Sequence, residues 1–136
     1  MIALAIDPGT RKCGVAIVEN ADPPRTLHRA VVPTSDLPGA VAALLSAYAV
    51  EVALIGDATN AQAVTATIRP LLPEGISLVA VPEAFTSERA RARWCAENPP
   101  RTLWERLLPG FRTPDCPVDD YAAVILAESY FAASAP

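Results

Sequence analysis

The chain has 136 residues, 51% hydrophobic and 19% charged, enough for one domain with a single core over 1–136 and too short for two lobes closing on a ligand. Its apolar content excludes intrinsic disorder, and its longest uncharged run, Leu37 to Val50, holds 14 residues, short of the roughly 20 that cross a membrane. The net charge of −4 is uneven: Ala84 to Thr113 carries six basic and three acidic residues against five and twelve elsewhere, so a polyanion would bind at that segment.

Ile2 to Asp7 reads as a strand, Pro8 to Cys13 as a turn and Gly14 to Glu19 as the returning strand of a hairpin. Asn20 to Pro24 is a breaker cluster, and Thr26 to Thr34 reads as a third, edge strand. Ser35 or Asp36 can cap a helix that runs through Leu44 to Ala49, with Pro38 in the first turn, where a missing N–H costs little. Glu51 to Gly56 and Ile76 to Val81 are nearly continuous apolar runs, which predicts two central parallel strands joined by a helix over Ala61 to Leu72. Helices are predicted over Ser87 to Glu97 and Arg101 to Leu108, then a proline-rich loop, then a last helix over Val118 to Ala133. The order predicts an α/β fold: a five-stranded mixed sheet, three antiparallel strands followed by two parallel ones, flanked by helices.

Cys13, Cys95 and Cys116 are odd in number and widely spaced, which argues for reduced thiols and against a disulfide framework or a zinc site. No basic stretch precedes the first apolar run, so no secretory signal is expected and the cytoplasm is the expected compartment.

The acids fall in a pattern. Asp7 closes strand one, Asp57 follows strand four and Glu83 follows strand five, all at the carboxyl edge where open α/β sheets place ligand sites. Asp7 has the parity of Ala3 and Ala5, a face of small residues that a helix can approach closely. On the last helix Asp119 heads the stripe Asp119, Ala122, Ala123, Leu126, Tyr130; with Glu128 in solvent, Asp119 points inward and Asp120 lies on the flank. The competing role for Asp119 is a helix N-terminal charge that complements the dipole. Clustered carboxylates repel unless a cation neutralises them, and oxygen-only donors select Mg²⁺ or Mn²⁺. A pair of such ions can clamp the attacking and leaving oxygens of a phosphodiester.

The run Asp7-Pro8-Gly9-Thr10-Arg11-Lys12-Cys13-Gly14-Val15-Ala16 resembles the opening motif of the YqgF family, pre-ribosomal-RNA-processing nucleases related to the RuvC Holliday-junction resolvases. Leu54-Ile55-Gly56, Glu83-Ala84-Phe85-Thr86-Ser87 and Val118-Asp119-Asp120-Tyr121-Ala122-Ala123 resemble its later motifs, in the same order. The resemblance implies an RNase H-like fold and metal-binding, catalytic acids at Asp7, Glu83 and Asp119. Two departures matter. Pro82 and Ala84 flank Glu83 where the family has Asp and Arg, so the arginine that would position phosphate is missing. Asp57 stands close to where RuvC-like enzymes place a strand-four glutamate, and it competes with Glu83 as a ligand; Asp120 is the further candidate.

Thr10, Arg11 and Lys12 are candidate contacts to a nucleic-acid backbone, or else a solvated hairpin tip. Arg89 and Arg93 share a helix face at i, i+4 and can hold the phosphate backbone; a solvated helix would carry the same residues. Trp94 and Trp104 are read as core, and His28 as a surface residue outside any nucleophile system. The single lobe argues against a phosphate loop of the actin-like ATPase kind, whose opening Asp-x-Gly-Thr is similar. The sequence thus predicts a Mg²⁺- or Mn²⁺-dependent nuclease leaving 5′-phosphate and 3′-hydroxyl ends, with RNA favoured as partner and structured DNA as alternative. A noncatalytic RNA-binding or assembly module on the same fold is the rival, and monomer against homodimer stays open.

Overall fold

Alternation of small and branched residues along the first hairpin gives the sheet two different faces. β1 (Ile2–Asp7) and β2 (Lys12–Glu19) pair antiparallel, from Ile2 opposite Glu19 to Asp7 opposite Gly14. β3 (Arg25–Pro33) continues the antiparallel part beside β2, with a register shift between Ile17 and Val18. β4 (Val52–Gly56) lies parallel to β1 on its other side, and β5 (Ser77–Val81) parallel to β4. The five-stranded sheet therefore has the order β3-β2-β1-β4-β5. This computed structural model describes residues 1–57, 60–82, 96–97 and 119–134, and the predicted helices over Ser87 to Glu97 and Arg101 to Leu108 lie almost wholly outside them.

Helices cover both faces. α1 (Leu37–Ala47) and α2 (Ala61–Ile68) set Leu37, Val41, Val64 and Ile68 against Leu4, Ile6, Val15, Ile17 and Ile55. On the opposite face α3 (Asp119–Ser134) sets Ala123, Val124, Leu126, Ala127 and Phe131 against Ala3, Ala5, Ala16, Val18 and Leu54. Alanines on the central strands allow this close seating, as expected from the parity of the first strand.

The structure departs from the sequence reading in four places. β5 is an edge strand, and Ser77 and Ala80 are exposed, whereas β4 is buried throughout; an apolar run marks pairing to a core strand without requiring a neighbour on both sides. α2 is shorter than expected because Pro70 cannot continue it, and Arg69–Leu71 tighten into a 3₁₀ turn. α1 follows a 3₁₀ turn over Thr34–Asp36, and its N-cap residue Asp36 makes no side-chain cap hydrogen bond. Finally α3 is buried all round from Tyr121 to Ala127 rather than along one stripe, and Glu128 is half-buried rather than solvated.

Among the described residues no helix is long and apolar enough to cross a membrane. Cys13 is a free, buried thiol, and Cys95 and Cys116 lie outside the described residues.

Candidate functional site

Sheet register fixes the position of Asp7. Ile6 lies beside Ile55, Ile55 beside Ala80 and Gly56 beside Val81, so one further step sets Asp7 level with Gly56 and Val81. Its antiparallel partner on the other side is Gly14. Gly14, Gly56 and Val81 are buried and Asp7 is half-buried. Strand alternation puts Asp7 on the face of Ala3 and Ala5, the face that α3 covers. Asp119 is the first residue of α3; its side chain and that of Asp120 are outside the described part, as is Glu83, two residues beyond Val81.

Asp57 shares the edge but not the face. Its backbone N–H donates to Val81 O at 3.1 Å, which ties the ends of β4 and β5 together. Its exposed carboxylate lines a hollow of about 910 Å³ with Ile55, Ala61, Gln62, Thr65 and Arg69, between α2 and the strand ends. That hollow lies on the α1 and α2 side of the sheet, opposite the side that Asp7 shares with Ala5. Asp7 and Asp57 thus reach one sheet edge, and the hollow that Asp57 lines lies on the other side of the sheet from the face Asp7 shares with Ala5. Among the described residues, no three of the His, Cys, Asp and Glu side chains gather as a metal-binding group.

Thr10, Arg11 and Lys12 are all exposed, at the tip of the β1–β2 turn. The turn is fixed from behind. Gly9 O accepts hydrogen bonds from Thr34 Oγ1 at 3.0 Å and Asn60 Nδ2 at 2.9 Å, and from Cys13 Sγ at 3.8 Å. The Thr34 N–H donates to Arg11 O at 2.9 Å. A Cβ at Gly9 would collide with Lys12 O, so the turn closes only with glycine there. Arg89 and Arg93 lie outside the described residues.

Sequence reasoning missed two residues. Asn60 reaches Gly9 from 51 positions away, and its only sequence signal was its place ahead of a helix. Arg29 on β3 stacks over the Tyr121 ring at 4.1 Å and pairs with Glu97 at 3.5 Å, joining the edge strand to α3 beside a cavity of about 380 Å³. Its register opposite Ala16 could have marked it as an arginine on the α3 face. His28, opposite Ile17, faces the other way; it is half-buried, 6.5 Å from the Tyr48 ring, rather than a free surface residue.

No protein-family model and no curated protein matches the chain. Solved structures do. RuvC of Thermus thermophilus in complex with a Holliday junction substrate is 18% identical with a TM-score of 0.61, over 98% of this chain and 95% of that one. The resolvase of fowlpox virus in complex with substrate Holliday junction DNA is 13% identical with a TM-score of 0.67, over 98% of each chain. A second structure of the fowlpox virus resolvase is 16% identical with a TM-score of 0.60, over 98% of this chain and 99% of that one. These likenesses, with the mixed sheet and its helical layers, show an RNase H-like fold.

Proposed function

We propose that this protein is a nuclease that hydrolyses phosphodiester bonds with Mg²⁺ or Mn²⁺, leaving 5′-phosphate and 3′-hydroxyl ends. The observation that carries the reading is the placement of Asp7: it ends the central strand, on the sheet face across which the helix beginning at Asp119 packs. The two resolvases of the same fold, each in complex with Holliday junction DNA, support a nucleic-acid substrate.

Asp7, Glu83 and Asp119 would hold the cations, a donor set of carboxylate oxygens that suits hard divalent ions. Bound there, the ions would supply charge neutralisation at the scissile phosphate and a more acidic water. The chain's own share is preorganisation. Asp7 is held by strands on both sides, so its carboxylate needs little rearrangement, and its cross-strand partner Gly14 adds no side chain beside it. Thr10, Arg11 and Lys12, exposed on a fixed turn three to five residues beyond Asp7, contact the phosphate backbone, and Arg89 and Arg93 extend that contact.

The motif resemblance favours structured RNA of the pre-ribosomal kind as substrate. A second reading, four-way DNA junctions, is favoured by what the two resolvases are bound to. Labelled RNA single strands and duplexes and DNA four-way junctions, each incubated with Mg²⁺, Mn²⁺ or EDTA, test both. Metal-dependent cuts with 5′-phosphate ends are expected. Binding without cleavage on every substrate would instead favour the noncatalytic module, in keeping with Pro82 and Ala84 around Glu83.

A further inference from the structure

We infer that Asn60 is a positioning residue for the β1–β2 turn: with Thr34 it draws the turn to the α1 and α2 side, away from the face that Asp7 shares with Ala3 and Ala5, and presents Thr10 to Lys12 at a fixed place. Asn60 stands at the N-cap of α2, and its carbonyl accepts from the Val64 N–H at 3.1 Å. Asparagine is among the best side chains for bonding the first amides of its own helix. Here it makes no such bond; Nδ2 donates to Gly9 O instead, at 2.9 Å. A helix start gives up its cap to hold a loop 51 residues away. Thr34 does the same from the 3₁₀ turn that precedes α1: its hydroxyl donates to Gly9 O while its N–H donates to Arg11 O.

Among the described residues, every partner of Gly9 O belongs to one side of the sheet. Cys13 is in the core cluster under α1 and α2, Thr34 leads into α1 and Asn60 begins α2. Asp7 has the parity of the opposite face. The turn therefore leaves the strand end away from the Asp7 carboxylate. A cavity of only about 70 Å³, lined by Thr34, Leu37, Asn60, Ala63, Val64 and Thr67, lies at the junction, so the two anchors stand within one small space.

The part of this inference that concerns nucleic acid rests on the nuclease reading; the anchoring does not. Asn60→Asp separates the two jobs of the residue, because aspartate caps a helix as well as asparagine does but an ionised carboxylate cannot donate to a carbonyl. A role confined to α2 leaves this variant neutral. Amide exchange by NMR at neutral pH reads the turn directly through the Thr34 N–H, bonded to Arg11 O. One hydrogen bond of ordinary strength corresponds to about tenfold faster exchange, expected in Asn60→Asp and Thr34→Val, with Thr34→Ser returning to the wild-type rate. Exchange in α2 amides should stay unchanged in Asn60→Asp. In parallel, the Kd for a labelled four-way DNA junction and an RNA duplex should rise in the same two variants and recover in Thr34→Ser. Unaltered Thr34 exchange in Asn60→Asp overturns the inference, as does faster exchange spread evenly over the whole chain. If the wild type binds neither nucleic acid, the nuclease reading falls, while the exchange data alone decide whether Asn60 holds the turn.

Discussion

Asp7 and Gly14 are cross-strand partners at the end of the β1–β2 ladder, so the candidate metal-binding carboxylate faces a position with no side chain. Directly opposed positions place Cβ atoms about 4.5–5.5 Å apart, close enough for any larger residue at 14 to crowd the acid. Asp7→Asn should abolish cleavage, since the amide keeps the shape and loses the charge. The same substitution should leave the metal-free melting temperature level or raise it, because a repelling charge has gone. Mn²⁺ in excess should raise the melting temperature of the wild type and not of Asp7→Asn, measured by scanning fluorimetry with EDTA as the control.

The two acids that open α3 are alike in chemistry and one position apart in the helix. Asp119→Asn should remove activity and lower Mn²⁺ affinity. Asp120→Asn should keep most activity and lose at most about 0.3–1 kcal/mol of stability from a weaker helix N-terminus. Cleavage rates and urea unfolding on the two variants check this, and a dead Asp120→Asn with an active Asp119→Asn would reverse the assignment.

Asp57 and Glu83 form a second comparison, and the hollow beside Asp57 gives the expectation. Asp57 opens onto the hollow beside α2, on the side opposite Asp7. Asp57→Asn should therefore retain cleavage within about a few-fold, whereas Glu83→Gln should reduce it by orders of magnitude, as expected when a charged ligand of a cation is lost. Single-turnover rates on one substrate, at saturating Mg²⁺, give the ratio.

Much of this arrangement was legible in the sequence, for identifiable reasons. The strands of the first hairpin, the parity of Asp7 with Ala3 and Ala5, and the crossover from β4 to β5 all follow from local patterns of period two and from apolar runs. The separation of Asp57 from Asp7 was not legible, because a residue just past a strand can turn to either face and only the register of β4 with β1 and β5 resolves which. Asn60 and Arg29 were missed for a related reason: their partners, Gly9 and Tyr121, are distant in the chain. The all-round burial of α3 was hidden too, since the helical stripe through Ala122, Ala123, Leu126 and Tyr130 marks one buried face and leaves out Tyr121, Val124 and Ile125, which are buried as well.

The basic segment gives a prediction about salt. Arg89→Ala with Arg93→Ala should weaken nucleic-acid binding and flatten the slope of log K against log salt by about one to two contacts. The fold should be unaffected, as judged by circular dichroism. An unchanged slope would move the polyanion surface elsewhere.

Gly9 supplies a prediction about the turn that is independent of any chemistry. Gly9→Ala must displace the backbone at Lys12, where the added methyl collides with a carbonyl oxygen. A loss of about 1–3 kcal/mol is expected from forced overpacking, seen as a lower urea midpoint at unchanged slope.

The all-round burial of α3 has a consequence for how the protein comes off the ribosome. The chain lays down its sheet in order, and by residue 81 all five strands have been made. One face of that sheet then has its partners α1 and α2 already synthesised, while the other, with Ala3, Ala5, Ala16 and Val18, waits for residues 119–134. For that interval a nascent chain carries a bare apolar surface along its central strands, the kind of surface that chaperones hold and that aggregates if left alone. In the proposed site Asp7 waits likewise for Asp119, which is made only with α3. A fragment ending before α3 is therefore expected to lack the proposed cation site.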